Sequence, residues 1–131
     1  MMIEYDAPFN TLLDNLRDPS APLRAALIYR LSNPTPEEMA ALRSTWPSVP
    51  VERRQLLLSR LVEMSEVSFE VDFTEVATFA LEDEDEDVRC HAIEALWENI
   101  LPSVMQRMIH MLQTDESASV RAAAAQALGR F

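Results

Sequence analysis

The chain has 131 residues, 48% of them apolar, and a net charge of −11. One domain of this length can bury a core, so disorder is not expected; no apolar run nears the roughly 20 residues that span a bilayer; and the single Cys90 excludes an internal disulfide or a cysteine-rich zinc site. Residues 1–65 hold seven Arg against eight acids and residues 66–131 four Arg against fourteen, a balance that repels phosphate backbones and argues against nucleic acid as partner.

The opening "MMIEYDAPFN" lacks the basic-then-apolar layout of a secretion signal, so a cytoplasmic location is expected. Gly129 is the only glycine. Helices shun glycine, whereas hairpins and phosphate-cradling loops need it, so an all-helical fold is predicted and glycine-rich nucleotide loops are excluded. "APFNTLLDNLR" predicts a first helix and "PLRAALIYRL", Pro22 to Leu31, a second. "TPEEMAALR" follows, with Thr35 as cap, Pro36 in the first turn and Glu38 completing a capping box. Next come "ERRQLLLSRL" at Glu52 to Leu61 and the link "SEVSFEV". "DFTEVATFAL" opens on Asp72 and Glu75, before "DVRCHAIEAL" at Asp87 to Leu96. "PSVMQRMIHMLQ" and "SVRAAAAQAL" complete eight helices in four antiparallel pairs.

The second member of each pair is one unit repeated. Arg24, Arg54, Arg89 and Arg121 mark its register, 30, 35 and 32 residues apart, a period typical of helical arrays. Three positions on stand Leu27, Leu57, Ala92 and Ala124, and seven on stand Leu31, Leu61, Leu96 and Leu128. With Leu23, Arg53, Val88 and Val120 one position before, these offsets build one buried stripe per copy, from which Arg53 is expected to reach out to water. Four positions before the arginine, Ser20, Asp85 and Ser117 are N-cap candidates, with Pro50 in the second copy. Six before come Asp18, Asp83 and Asp115, with Ser48 in the second copy. Stacked copies would align these aspartates and arginines into a charge ladder.

The unit Asp-x5-Arg-x2-Ala-x3-Leu, with a helix on each side of its turn, resembles the HEAT repeat. It is sharpest in copies three and four, and the copies together cover approximately residues 7–33, 35–64, 72–98 and 102–131 of one domain, 1–131. The resemblance implies a right-handed α-α superhelix whose second helices line the concave side. It also implies a protein-binding scaffold, since most members of the family act as one. HEAT-like folds also occur in bilin-attaching lyases, which makes a lyase-type enzyme or chaperone the alternative.

The row "EDEDEDVR", Glu82 to Arg89, imitates a calcium loop, with Asp83, Asp85 and Asp87 alternating and Glu94 at the twelfth position. Val88 stands where that loop needs a glycine, so the row reads as a helix start: Asp85 caps, its neighbours favour the helix dipole, Asp83 joins the ladder, and no specific calcium site is expected. Cys90 and His91 are adjacent on a helix, about 100° apart, and do not form a nucleophilic pair. With His110 they do not demand a metal, and no cofactor or catalytic group is assigned. Met105, Met108 and Met111, with Ile109 and Leu112, read as core before an exposed binding strip, and Trp97 as a plug between copies three and four before an anchor on the concave rim.

Five and nine positions after the register arginine, opposite the buried stripe, stand Tyr29, Glu63, Glu94 and Glu98, flanked by Arg30 and Arg60. These six are the candidate partner-binding residues. They describe a groove that turns from mixed to negative, suited to a protein or peptide with a basic segment. The fourth copy runs to "ALGRF" without a polar capping helix, so either a longer chain or self-association through that end is expected.

Overall fold

The computed structural model describes residues 8–131; the acidic opening stretch judged for a leader, and Ala7 at the start of the first expected repeat, lie outside them. Among the described residues there are eight α-helices and no strand, an all-α solenoid of helix pairs. The pairs are α1 (Phe9–Arg17) with α2 (Ala25–Ile28), α3 (Pro36–Thr45) with α4 (Val51–Val67), α5 (Thr74–Ala80) with α6 (Glu86–Ala95), and α7 (Pro102–Thr114) with α8 (Ala118–Leu128). The second helices stack in series, α4 on α6 and α6 on α8.

Local chemistry sets most helix starts. Thr35 Oγ1 accepts from the Glu38 amide at 3.1 Å while Glu38 Oε1 accepts from the Thr35 amide at 2.9 Å, a complete capping box ahead of α3. Asp85 and Ser117 cap α6 and α8 through the Val88 and Val120 amides, at 3.0 and 3.3 Å. The repeated stripe is the core: Leu27, Leu57, Ala92 and Ala124 are at most 1% exposed. Met108 and Met111 are buried with it, whereas Ile109 and Leu112, expected there too, flank the buried stripe of α7 and stay 39% and 37% exposed.

The first pair departs from the register. Its second helix starts at Ala25 rather than Pro22, so Arg24 precedes the helix instead of lying within it, and Ser20 caps nothing. Two causes are visible. Pro22 biases Ala21 away from helical backbone. The Asn15 side chain then holds the loop extended, donating to the Pro22 carbonyl and accepting from the Arg24 amide, both at 3.0 Å.

Arg53 does not reach water. It is 9% exposed and donates to the carbonyls of Leu16, Ala21 and Asn15 at 2.9, 2.6 and 2.5 Å. Two of these belong to the last turn of α1, whose carbonyls have no partners within the helix. A guanidinium fork on the neighbouring helix satisfies them, and so joins the first two pairs. At α5 the expected start on Asp72 is replaced by one at Thr74, because Asp72 Oδ1 accepts from the Thr74 amide at 3.0 Å and closes a turn instead.

Charged side chains join the later pairs through one repeated pairing, though by different edges of the guanidinium. Arg54 Nη1 lies 2.7 and 2.8 Å from the two oxygens of Asp83, and Arg89 grips Asp115 with two bonds of 3.0 Å. Each arginine thus reaches the aspartate of the following pair. Arg89 Nη1 also donates to the Asp83 carbonyl of its own turn at 2.9 Å, and Arg121 Nη1 to the Asp115 carbonyl at 2.8 Å. Between the first and second pairs Ser48 replaces the aspartate, and Arg53 makes the tie.

The acidic row divides by role. Asp83 is buried, and beside Arg54 it accepts from Trp46 Nε1 at 2.7 Å and from the Asp85 amide at 3.0 Å. Burial pushes the Asp85 carboxyl up, but bonds from the Gln55 side chain and from the Val88 and Asp87 amides outweigh it and hold the group below its ordinary value. Asp85 therefore stabilises the fold at neutral pH, and that contribution is lost in acid as the pH falls through its lowered value and the carboxyl protonates. Glu82, Glu84, Glu86 and Asp87 are exposed.

Candidate partner-binding groove

Where α4 ends, the chain crosses to α5 through residues 68–73 and meets the end of α6. These segments enclose an open groove of about 470 Å³. Val62, Ser65 and Glu66 line it from α4, Phe69 and Asp72 from the crossing loop, and Glu94, Trp97 and Glu98 from α6 and its exit. The lining carries four carboxylates, Glu66, Asp72, Glu94 and Glu98, and no arginine.

The loop is fixed from below. Its Asp72 amide donates to Ser32 Oγ at 2.8 Å, and the Asn33 amide donates to the Asp72 carbonyl at 3.0 Å. Asn33 takes φ 48°, a left-handed conformation that asparagine tolerates well. Phe73 is buried beneath, and Asn99 Nδ2 joins the far wall to Thr74 Oγ1 at 3.1 Å.

Trp97 is 46% exposed, so it does not plug the joint between the third and fourth pairs. The fourth pair reaches it from outside the lining: the Arg130 guanidinium carbon lies 4.2 Å from the ring centroid. Burial lowers the Arg130 pKa, opposed by the charge of Glu98. The stacked cation holds the indole in place and leaves it part of the groove wall. Phe69 is fully exposed at the other side.

Of the six candidate partner-binding residues, Glu94 and Glu98 line this groove and the others do not. Arg30 pairs with Glu38 at 2.8 Å and stands 5.7 Å from the Phe9 ring centroid, while Tyr29 is exposed on the first pair. Arg60 and Glu63 pair with each other at 3.3 Å on the surface of α4. Phe69 and Glu66 were not singled out from the sequence, and Asp72 only as a helix start. The only available signal was an apolar residue in the link "SEVSFEV", too short a clue to show that the link folds over a groove.

Residues 74–131, spanning the third and fourth pairs, match the family model for HEAT repeats. This part of the chain is similar to HEAT repeats. No curated protein and no solved structure matches the chain. HEAT repeats commonly serve as protein-interaction scaffolds and are typically non-catalytic. Here the HEAT segment supplies one groove wall through Glu94, Trp97 and Glu98, and α4 with its following loop supplies the other.

The HEAT helices hold no activated nucleophile at Cys90. Burial, with Asp87 and Glu94 nearby, raises its thiol pKa above the ordinary value, so the thiolate is disfavoured at neutral pH. Alkylation of Cys90 by iodoacetamide should reach half-maximal rate at higher pH than alkylation of free cysteine. A half-point below that of free cysteine would show an activated thiol.

Proposed function

We propose that the chain is a non-catalytic, cytoplasmic scaffold that seats a protein segment with a basic end in this groove. The observation that carries the proposal is a lining of four carboxylates around an exposed indole, with no cation among them. An aromatic anchor ringed by carboxylates, with Arg130 stacked on it from outside the lining, favours a partner with apolar and basic side chains and steers its approach. The same lining opposes phosphate backbones. It also opposes the propionates of a tetrapyrrole, so nothing in the groove favours the bilin-lyase alternative. No helix among the described residues is long and apolar enough to cross a membrane.

A labelled amphipathic peptide ending in arginines tests the proposal by fluorescence anisotropy, with a glutamate-ended version as control. Saturable binding of the first alone is expected, weakening with salt. Glu94→Arg with Glu98→Arg should abolish that binding and leave the thermal midpoint nearly unchanged, because both side chains are exposed. Equal binding of both peptides, or binding that survives the double substitution, would remove the groove from the interface.

A further inference from the structure

Among the described residues two members of the ladder, Asp18 and Arg121, have no hydrogen-bonded ladder partner. Asp83 Oδ2 accepts from the Asp85 amide at 3.0 Å, and Asp115 Oδ1 from the Ser117 amide at 2.9 Å; each carboxylate, held in this turn, receives an arginine from the preceding pair. Asp18 makes the same turn, accepting from the Ser20 amide at 3.0 Å, but is exposed and receives no arginine hydrogen bond among the described residues. At the other end Arg121 is anchored as Arg89 is, by Nη1 on the carbonyl of the aspartate six residues before it. The Nε and Nη2 edge that in Arg89 grips the next carboxylate makes no hydrogen bond in Arg121 among the described residues.

The packing stripe stops at the same place. Four positions after the register arginine, Ile28, Leu58 and Ile93 are buried at 1%, 0% and 1% exposure, whereas the equivalent Ala125 is exposed. Ile109 and Leu112 of α7, and Ala122 of α8, are also exposed. This face continues the series of surfaces by which each pair stacks on the next.

We infer that the exposed face of the fourth pair is a stacking surface for the first pair of a second copy, with Arg121 of one molecule gripping Asp18 of the next. Such head-to-tail contact is heterologous, so it propagates into short chains rather than closing as a two-fold dimer. The occupant follows from charge and geometry. Of the three aspartates that stand six positions before a register arginine and close such a turn, Asp83 and Asp115 already hold arginines, and Asp18 is preset to take one.

Sedimentation velocity over a concentration series tests this with a charge exchange. The unaltered chain should associate with rising concentration, and molar salt should weaken the association. Arg121→Asp alone and Asp18→Arg alone should each weaken it at least about tenfold, since like charges then meet. Mixing the two variants should restore it, because each tail again faces an opposite charge. Circular dichroism checks that both variants remain folded, and Arg121→Gln serves as a milder replacement if Arg121→Asp does not. A chain that stays monomeric at every concentration overturns the inference. So does association that Asp18→Arg leaves intact, which would place the contact between two fourth pairs.

Discussion

Asp83→Ala should lower stability by about 3–5 kcal/mol, the usual cost of removing one partner from a buried ion pair. The carboxylate is 1% exposed, and its loss leaves the Arg54 guanidinium, itself 14% exposed, without its counter-charge. Trp46 Nε1 and the Asp85 amide lose their acceptor in the same step. At this chain length the thermal midpoint should fall by roughly 10–20 °C. Two residues along, Asp85→Ala removes a helix cap and a bond from Gln55, and should cost about 1 kcal/mol. Glu84→Gln, on an exposed side chain, should change stability by less than about 0.5 kcal/mol. Thermal denaturation of the three variants therefore separates neighbours in one acidic row. Equal effects from all three would mean that the row acts through its summed charge and not through Asp83 as a hub.

Arg53→Met should destabilise the protein by about 3 kcal/mol, and unevenly. Methionine fills a similar volume but leaves the carbonyls of Asn15, Leu16 and Ala21 without their donor. In a stack of pairs each contacts only its neighbours, so damage at one joint loosens the end it secures. Hydrogen exchange should show amides of α1 and α2 losing protection by about a hundredfold or more, while those of α7 and α8 keep theirs. Arg53→Lys should rescue little, because a single ammonium cannot reproduce the planar fork that reaches three carbonyls. Uniform loss of protection along the chain would show instead that the array unfolds as one unit.

Features that rest on residues within one helix or one turn were legible from the chain. The capping box of Thr35 and Glu38, the caps Asp85 and Ser117, and the stripe of Leu27, Leu57, Ala92 and Ala124 all involve spacings of three or four residues. Such spacings carry over directly from chain to helix surface. The start of α2 broke the pattern for a reason that spacing does not encode: the Asn15 side chain reaches seven and nine residues ahead to hold a loop extended.

Tertiary structure alone decided which pair each ladder arginine serves, where Arg53 ends and what surrounds Glu94 and Glu98. Arg54 meets Asp83 from 29 residues away, and Arg53 meets Leu16 from 37. The groove exists because the expected link is shortened, Ser65 to Val67 extending α4, and the crossing at 68–73 folds back and is tied by Asp72 to Ser32, 40 residues earlier. A repeat register fixes what each helix buries, since every copy faces its neighbours in the same way. Where one joint lacks its aspartate, as at Ser48, or where a link crosses between copies, the side chains settle on whatever polar groups packing has left unsatisfied, and only the assembled neighbours determine which those are.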